Sequence, residues 1–181
     1  QPIWNENLIL CLSLSKLGLP SLRTGIVVAP REVVAALTAM NAIMSLTPTS
    51  FGAVLARKLI VQQEITDLCQ QYIQPFYREK MEKAVAVVRD EFAGIPCRIH
   101  KPEGAMFLWL WFEGLPITSL ELYQLLKENG VLVVSGHYFF PGLDEEWQHK
   151  NECIRVTYSQ SDDDIQRGLA IIARVVRRIY G

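Results

Sequence analysis

One long segment of helical periodicity, residues 64–92, constrains the fold of this chain more than any other feature. Its apolar side chains form a single stripe, which consists of Met81, Ala84, Val85, Val88 and Phe92. Such a stripe predicts a helix with one buried face. Pro75 lies inside the segment and predicts a kink or break there. A helix of this length is expected to connect two packing units.

Two short apolar runs come before this helix, LILCLSLS at 8–15 and GIVVAP at 25–30. Such runs are typical of buried strands, and the polar loop between them favours neighbouring strands of a covered sheet. Two helices are predicted next, one over 31–46, which stops before Pro48, and one over 50–63.

The pattern changes after Gly94-Ile95-Pro96. Strand-like segments are found at 97–104, 105–112, 131–135 and 153–159. Two helical segments among and after them each begin with the capping-box spacing, Thr118 with Glu121 and Ser161 with Asp164. The resulting order β-β-α-β-β-α predicts a compact α/β unit.

The predicted elements divide the chain into three parts. Residues 1–63 are expected to form the end of a larger α/β domain, 64–94 a linking helix and 95–181 a small C-terminal α/β domain. The sequence has no initiator methionine and enters a strand-like run almost at once, so we expect a fragment that lacks an N-terminal part.

The composition argues against several classes of protein. Half of the 181 residues are apolar and the formal net charge is −1, which is typical of a globular protein without a basic surface for nucleic acid or membrane. No apolar run is long enough to span a membrane. The four cysteines and three histidines show no metal-binding spacing, so free thiols in a reducing cytoplasm are expected.

The loop SLSKLGLPSLRTG, residues 13–25, follows the first strand and carries the most chemistry. An isolated loop lysine is most often part of a solvated surface turn. A partly desolvated lysine, however, can form a Schiff base with an aldehyde cofactor, and hydroxyls with an arginine can hold a phosphate group. Lys16, Ser13, Ser15 and Arg23 supply these groups within this one loop.

Other catalytic motifs are missing from the sequence. It contains no nucleoside-triphosphate phosphate loop, no dinucleotide-binding glycine fingerprint and no G-x-S-x-G nucleophile elbow. A cysteine–histidine dyad has no local signature, and this alternative stays open until the fold places the side chains.

The segments S-L-S-K, G-L-P and L-R-T-G resemble the lysine segment of the fold-type I pyridoxal-phosphate-dependent aminotransferases. The resemblance implies that the chain is the C-terminal part of that α/β fold and uses pyridoxal 5'-phosphate. It implies that Lys16 forms the Schiff base and shuttles the substrate proton. Ser13 and Arg23, with Ser15 as a weaker candidate, would hold the phosphate. Many members place the arginine one residue further from the lysine than this chain does.

Three further segments, PEGAMFLWLWFEGLPIT (102–118), GHYFFPGL (136–143) and CIRVTYSQ (153–160), extend the resemblance over essentially the whole chain. They imply transamination between a small aliphatic amino acid, valine- or alanine-like, and a 2-oxo acid such as pyruvate. Ser135 and Tyr138 depart from the proline and asparagine that the family pattern predicts there.

Arg155 is the candidate for substrate binding. Strand alternation in CIRVTYS places Ile154, Val156 and Tyr158 on one face and Arg155 on the other. An arginine so placed can bind a planar carboxylate through two hydrogen bonds, and the resemblance implies that Arg155 binds the substrate α-carboxylate. The alternative is an exposed edge-strand arginine in a surface ion pair.

The aromatic segment at 105–112 has a simpler interpretation. Phe107, Trp109 and Trp111 are predicted to pack in the core, as strand aromatics usually do. Gly104, which precedes them, either lets the backbone approach a ligand or is a turn residue.

The resemblance also implies what the site needs from elsewhere. The acidic partner of the pyridinium nitrogen and the ring that stacks on the cofactor are expected in a missing N-terminal half. A homodimer partner is expected to contribute further groups, so the chain alone is expected to be inactive. Two alternatives share the fold: an effector-binding module of a transcription regulator, and a lyase.

Overall fold

The computed structural model of the chain describes residues 4–16, 19–47 and 50–181. Within it the chain forms two compact units, Gln1–Pro75 and Phe76–Gly181. Pro48, the predicted stop of the first helix, and Gly18 of the lysine loop lie outside the described residues.

The first unit contains a two-stranded antiparallel sheet, in which β1, Leu10–Ser13, pairs with β2, Gly25–Val28. The predicted neighbouring strands are confirmed, but their predicted burial is wrong. Leu12, Val27 and Val28 are between 41% and 43% exposed. So small a sheet has two faces to cover, and the described residues do not bury both of them.

Helices follow the sheet in the first unit. The predictions over 31–46 and 50–63 are confirmed by α1, Arg31–Ser45, and α2, Ser50–Val61, and α2 is followed by the short helix α3, Glu64–Leu68. A small apolar cluster joins α2 and α3 to the loop after β1. This cluster positions the loop that carries Lys16.

The long predicted helix is interrupted just before Pro75. The π-helical turn Cys69–Ile73 follows α3, and α4 then runs over Gln74–Glu91. Proline has no N–H for the carbonyl four residues earlier, and its ring crowds that carbonyl. A widened turn directly before the proline relieves both effects.

The second unit is built on one antiparallel sheet of four strands in the order β3-β4-β6-β5. The strands are β3, Cys97–Ile99; β4, Phe107–Phe112; β5, Val134–Ser135; and β6, Cys153–Thr157. Helix α5, Ser119–Glu128, lies between β4 and β5 in sequence, and α6, Asp162–Tyr180, follows β6. The predicted order β-β-α-β-β-α is confirmed, although β5 is shorter than predicted.

Strand β4 separates the two faces of this sheet. Leu108, Leu110 and Phe112 are at most 1% exposed and join a core to which α4, α5 and α6 contribute. The aromatic residues that alternate with them are half-buried on the opposite face. The prediction that Phe107, Trp109 and Trp111 pack in this core is therefore wrong, because their strand positions have the other parity.

The predicted starts of α5 and α6 are confirmed. Thr118 Oγ1 accepts a hydrogen bond from the Glu121 N–H at 3.2 Å, and Glu121 Oε2 accepts one from the Thr118 N–H at 2.8 Å. The backbone N–H and hydroxyl of Thr118 lower the pKa of Glu121. Ser161 Oγ accepts from the Asp164 N–H at 3.1 Å.

None of the helices in the described ranges is long and apolar enough to cross a membrane.

An ionic cluster ties the first turn of α6 to α4. Asp162 accepts hydrogen bonds from Lys80 Nζ at 2.8 Å and from Lys83 Nζ at 2.9 Å. These bonds, that of Lys80 first, lower the pKa of Asp162 to about 2. The cluster therefore stabilises the fold above the ordinary pKa of an aspartate, and this stabilisation is lost as the pH falls through about 2.

Two neighbouring isoleucines of α6 test the assignment of its core face. Ile172 is fully buried and Ile171 only partly buried. Ile172→Ala should lower the free energy of unfolding by about 2–5 kcal/mol, because lost transfer energy and a cavity add together. Ile171→Ala removes the same atoms and should cost clearly less. Urea unfolding of the full-length protein measures both, and equal losses would contradict the assignment.

Candidate active-site residues

The loop between β1 and β2 is anchored by a buried leucine. Leu14 is 1% exposed and packs with Ala56 of α2 and Ile65 of α3. Its N–H donates to the Thr24 carbonyl at 3.2 Å, and its carbonyl accepts from the Leu19 N–H at 3.0 Å. The polar residues around Leu14 therefore lie on backbone that is fixed from within.

Three of the four predicted cofactor-binding side chains come together in this loop. The Ser15 N–H donates to Ser13 Oγ at 3.3 Å, and Arg23 Nη1 donates to Ser15 Oγ at 3.5 Å. Ser13 and Arg23 are exposed, and Ser15 is half-buried. Two hydroxyls and a guanidinium thus lie side by side, which is a donor set suited to a phosphate group.

Arg23 has a left-handed backbone conformation, with φ +46° and ψ +38°. Its N–H donates to the Pro20 carbonyl at 3.4 Å. Residues other than glycine avoid this region, so the surrounding structure must hold Arg23 there. In this conformation the side chain reaches Ser15, although Arg23 is one residue closer to the lysine than in many members of the family that the sequence resembles.

Lys16 ends the short 3-10 turn Leu14–Lys16 and is exposed. Its exposure agrees with the surface-turn alternative. Its backbone does not, because Leu14 in the same turn is part of the apolar cluster. Lys16 is thus an exposed residue on anchored backbone, and a lysine amine is the group that can bond to an aldehyde.

Helix α2 approaches the loop closely at Gly52. A Cβ at this position would clash with Thr24 Oγ1 and would lie 2.5 Å from the Leu22 carbonyl oxygen. The Thr24 hydroxyl donates to that same carbonyl at 2.8 Å. Arg23 lies between these two residues, so the absence of a side chain at Gly52 lets the helix support its backbone.

In the second unit, Arg155 lies at the centre of β6, on the face of the sheet opposite the core. Strand β6 is flanked by β4 and β5, and Arg155 is paired with Trp109 and Val134. The edge-strand alternative is therefore wrong. Among the described residues, no carboxylate forms a salt bridge with Arg155.

Two phenyl rings enclose the Arg155 guanidinium. Its Cζ lies 4.2 Å from the centroid of the Phe107 ring and 4.8 Å from that of Phe139. Both distances are within cation–π range, where a desolvated contact contributes about 2 kcal/mol. Arg155 Nε is buried and has no hydrogen-bond partner in the described part of the chain. A buried donor without an acceptor is unfavourable, and a carboxylate ligand would supply the acceptor.

Phe139 is a functional candidate that the sequence does not reveal. It belongs to the 3-10 turn Gly136–Phe139, and its ring also packs edge-on against Trp109 at 5.2 Å. Its place over Arg155 depends on the pairing of Val134 with Arg155 across β5 and β6. No local pattern in the sequence signals that pairing.

The structure favours the turn interpretation of Gly104. The residue lies in the bend before β4, and a Cβ there would have no heavy atom within 4 Å. The next residue, Ala105, has the left-handed backbone, with φ +61°. Its carbonyl accepts a hydrogen bond from the hydroxyl of the buried Tyr158 at 2.9 Å.

One cysteine does lie close to a histidine. Cys153 Sγ is 3.6 Å from His149 Nε2, and the thiol donates to the His149 carbonyl at 3.3 Å. Burial raises the pKa of the Cys153 thiol to about 11. The thiolate that nucleophilic catalysis requires is therefore disfavoured, and the cysteine–histidine alternative is not supported. All four cysteines are among the described residues and have free thiols.

A second unexpected group is the buried carboxylate of Glu152, which is 5% exposed. It accepts hydrogen bonds from Trp111 Nε1 at 2.7 Å, the Gly114 N–H at 2.9 Å and Gln148 Nε2 at 2.7 Å. Both oxygens are therefore satisfied by the protein. Glu152 joins β4 to the segment before β6, which is a structural role.

Comparison with known proteins assigns the family. Residues 4–172 match the family described as aminotransferase class I and II, so the chain belongs to this family. Enzymes of this family use pyridoxal 5'-phosphate. The predicted family, the cofactor and the fold-type I aminotransferase fold, of which the chain forms a part, are thereby confirmed.

Two of the similar relatives are valine–pyruvate aminotransferases. The chain is 44% identical over 180 residues to that of Escherichia coli strain K12, covering 99% of this chain and 43% of the relative. The crystal structure of valine–pyruvate aminotransferase from Salmonella typhimurium LT2 matches with a TM-score of 0.90 and 46% identity, over 99% of this chain and 46% of the other. The chain therefore spans less than half the length of these relatives.

A more distant match supports the fold alone. The multiple substrate aminotransferase of Thermococcus profundus is 21% identical, with a TM-score of 0.78 over 95% of this chain and 41% of the other. The backbone arrangement is thus shared far beyond the range of close sequence similarity.

The lysine loop fits the family cofactor by the chemistry of its donors. The hydroxyls of Ser13 and Ser15 and the guanidinium of Arg23 provide neutral and charged donors for a phosphate dianion. Lys16 provides an exposed amine in the same anchored loop. No group in the described ranges has the three or more histidine, cysteine or acidic side chains that a metal ion would need.

Gly52→Ala should disturb the loop, because the added Cβ would meet Thr24 and the Leu22 carbonyl. We expect a loss of about 1–3 kcal/mol of stability from overpacking, together with weaker retention of pyridoxal 5'-phosphate. The matched control is Gly168→Ala in α6, where a Cβ meets nothing within 4 Å. The control should stabilise the protein by about 0.5–1 kcal/mol and leave cofactor binding unchanged. Equal cofactor affinity in both variants, measured by equilibrium dialysis, would contradict the role of Gly52.

Cysteine labelling tests the assignment of Cys153. Its thiol should react very slowly with iodoacetamide at pH 8 and faster only as the pH approaches about 11. The exposed Cys11 is the internal control and should be labelled at pH 8. Peptide mass spectrometry measures both sites, and rapid labelling of Cys153 in the folded protein at pH 8 would revive the nucleophile alternative.

Proposed function

We propose that the full-length protein is a cytoplasmic aminotransferase that exchanges an amino group between a small aliphatic amino acid, valine- or alanine-like, and a 2-oxo acid such as pyruvate. The family match and the identity to valine–pyruvate aminotransferases support this proposal. The observation that supports the proposal most is the anchored loop that contains Lys16, because Ser13, Ser15 and Arg23 cluster in it.

Pyridoxal 5'-phosphate supplies, when bound, an aldehyde that bonds to amines and a ring that accepts the electrons of the substrate Cα–H bond. In this proposal Lys16 Nζ provides the resident amine. The freed Nζ of Lys16 would take the proton from the substrate Cα and pass it to the cofactor rather than back to Cα, so that the substrate could leave as an oxo acid. Ser13, Ser15 and Arg23 bind the phosphate and keep the cofactor in place during this exchange.

Arg155 binds the α-carboxylate that both substrates carry. The rings of Phe107 and Phe139 cover part of the half-buried Arg155 side chain, and this partial desolvation strengthens its attraction for an anion. A fixed carboxylate fixes the orientation of the attached Cα, and orientation is a large part of enzymatic rate enhancement. Arg155 therefore binds the carboxylate of the amino donor in the first half of the reaction and that of the oxo acid in the second.

The remaining parts of the site are proposed to come from other segments. We propose that residues 1–63 end the large cofactor-binding domain, that 64–94 link the domains and that 95–181 form the small domain. A preceding segment of the same polypeptide would provide the pyridinium partner and the stacking ring, and a second subunit would complete a homodimer. Large apolar side chains such as Ile43, Met44 and Phe51 are more than 70% exposed, which supports further covering surfaces.

The other two functions on this fold have weaker support. The relatives named above are aminotransferases, and the net charge of −1 gives no sign of a nucleic-acid-binding surface. No contact among the residues that the structure describes favours a lyase. We therefore retain transamination as the proposed activity.

Borohydride reduction tests the assignment of Lys16. Reduction of the cofactor-loaded full-length protein should leave a pyridoxyl group on the peptide that contains Lys16, because its amine is the proposed attachment point. Lys16→Arg keeps a positive charge beside the phosphate donors but cannot form the bond, so its peptide should remain unmodified. Peptide mass spectrometry measures both, and a modification found only on another lysine would overturn the assignment.

A further inference from the structure

We infer that Ser119, Ser135 and His137 form a hydrogen-bonded chain that positions Phe139 on Arg155 and thereby sets the affinity for the substrate carboxylate. This inference rests on the proposed function, because the three residues would act through Arg155. They are positioning residues, since none of them is assigned a contact with substrate or cofactor.

This hydrogen-bonded chain of side chains begins inside the second unit and ends near its surface. Ser119 Oγ lies 2.7 Å from Ser135 Oγ, which in turn lies 2.6 Å from His137 Nδ1. Ser119 and Ser135 are 0% and 1% exposed, while His137 is half-buried. Hydroxyls removed from water in this way depend on each other for hydrogen bonds, so removal of one member leaves its neighbour unsatisfied.

The three residues join three separate elements. Ser119 begins α5, Ser135 ends β5 opposite Ile154 of β6, and His137 lies within the turn Gly136–Phe139. In one consistent arrangement the Ser119 hydroxyl donates to Ser135 and the Ser135 hydroxyl donates to His137 Nδ1. The turn is thereby tied to a helix that is itself packed in the core.

The turn also has no room to move towards β6. A Cβ on Gly136 would lie 2.5 Å from the Cys153 carbonyl oxygen and 2.7 Å from its Cβ. Close backbone packing at Gly136 and the hydrogen bonds of Ser135 and His137 together restrict the position of the turn. Phe139 is the last residue of that turn, so its ring is delivered to a fixed place.

The place of the ring decides the environment of Arg155. At 4.8 Å from the guanidinium, Phe139 completes the enclosure that Phe107 begins. A ring that moved away would admit water and weaken every electrostatic contact of the guanidinium.

The test measures binding of 3-methylbutanoate, a carboxylate without an amino group, to the cofactor-loaded full-length protein by calorimetry. In Ser135→Ala and His137→Ala we expect the Kd to rise about three- to tenfold, which is the equivalent of one lost hydrogen bond. KM for donor and acceptor should rise by the same factor, while kcat changes less than about twofold, because the shared carboxylate is affected. His137→Asn, which keeps an acceptor near the Nδ1 position, should restore most of the affinity.

A double-mutant cycle separates positioning from a general loss of structure. Phe139→Ala should raise the Kd by itself, and adding Ser135→Ala to it should have little further effect, because the ring that the chain positions is gone. Fully additive effects would overturn the inference. Ser161→Ala, which removes a helix-capping hydroxyl elsewhere in the unit, should lower stability without changing the Kd.

Arg155→Ala distinguishes failure of this inference from failure of the proposed function. If that variant binds 3-methylbutanoate as tightly as the parent protein, the carboxylate role of Arg155 is wrong and the inference fails with it. If Arg155→Ala weakens binding but Ser135→Ala and His137→Ala do not, the inference alone is wrong. Should Ser135→Ala fail to fold, the half-buried His137 provides the same test through His137→Ala and His137→Asn.

Discussion

The alternation of side chains along β4 and β6 is the constraint on which the second unit depends. Leu110 and Ile154 face the core that the helices cover, while Trp109 and Arg155 are paired on the opposite face. A shift of one residue in this register would bury the guanidinium in the core and expose the apolar side chains. The same pairing that builds the core therefore also presents Arg155 between aromatic rings.

In the first unit, polar side chains are held on a loop without being buried. Leu14 enters the apolar cluster, and α2 supports the returning backbone at Gly52. The exposed Ser13 and Arg23 are thus fixed from below, and Arg23 is held in a backbone conformation that it would not adopt in isolation. Rigid support beneath exposed donors is what a phosphate-binding loop requires.

The sequence predicts the elements and the family better than it predicts the surroundings of the candidate site. Helical periodicity and the caps at Thr118 and Ser161 are local signals, and the structure confirms them. The role of Phe139 and the hydrogen bonds of Ser135 depend on which strands pair, which no local pattern records. The exposure of β1 and β2 could not be predicted from the sequence either. An apolar run indicates a strand that packs against other residues, but it does not show whether this chain supplies them.

We propose that the full-length protein moves an amino group from an amino acid to its cofactor and then to an oxo acid. The most direct measurement is the half-reaction of the cofactor-loaded protein with L-valine in the absence of any oxo acid. We predict stoichiometric release of 3-methyl-2-oxobutanoate with loss of the cofactor aldehyde, followed by formation of alanine when pyruvate is added. Release of ammonia, or binding of valine without any oxo acid, would contradict the account.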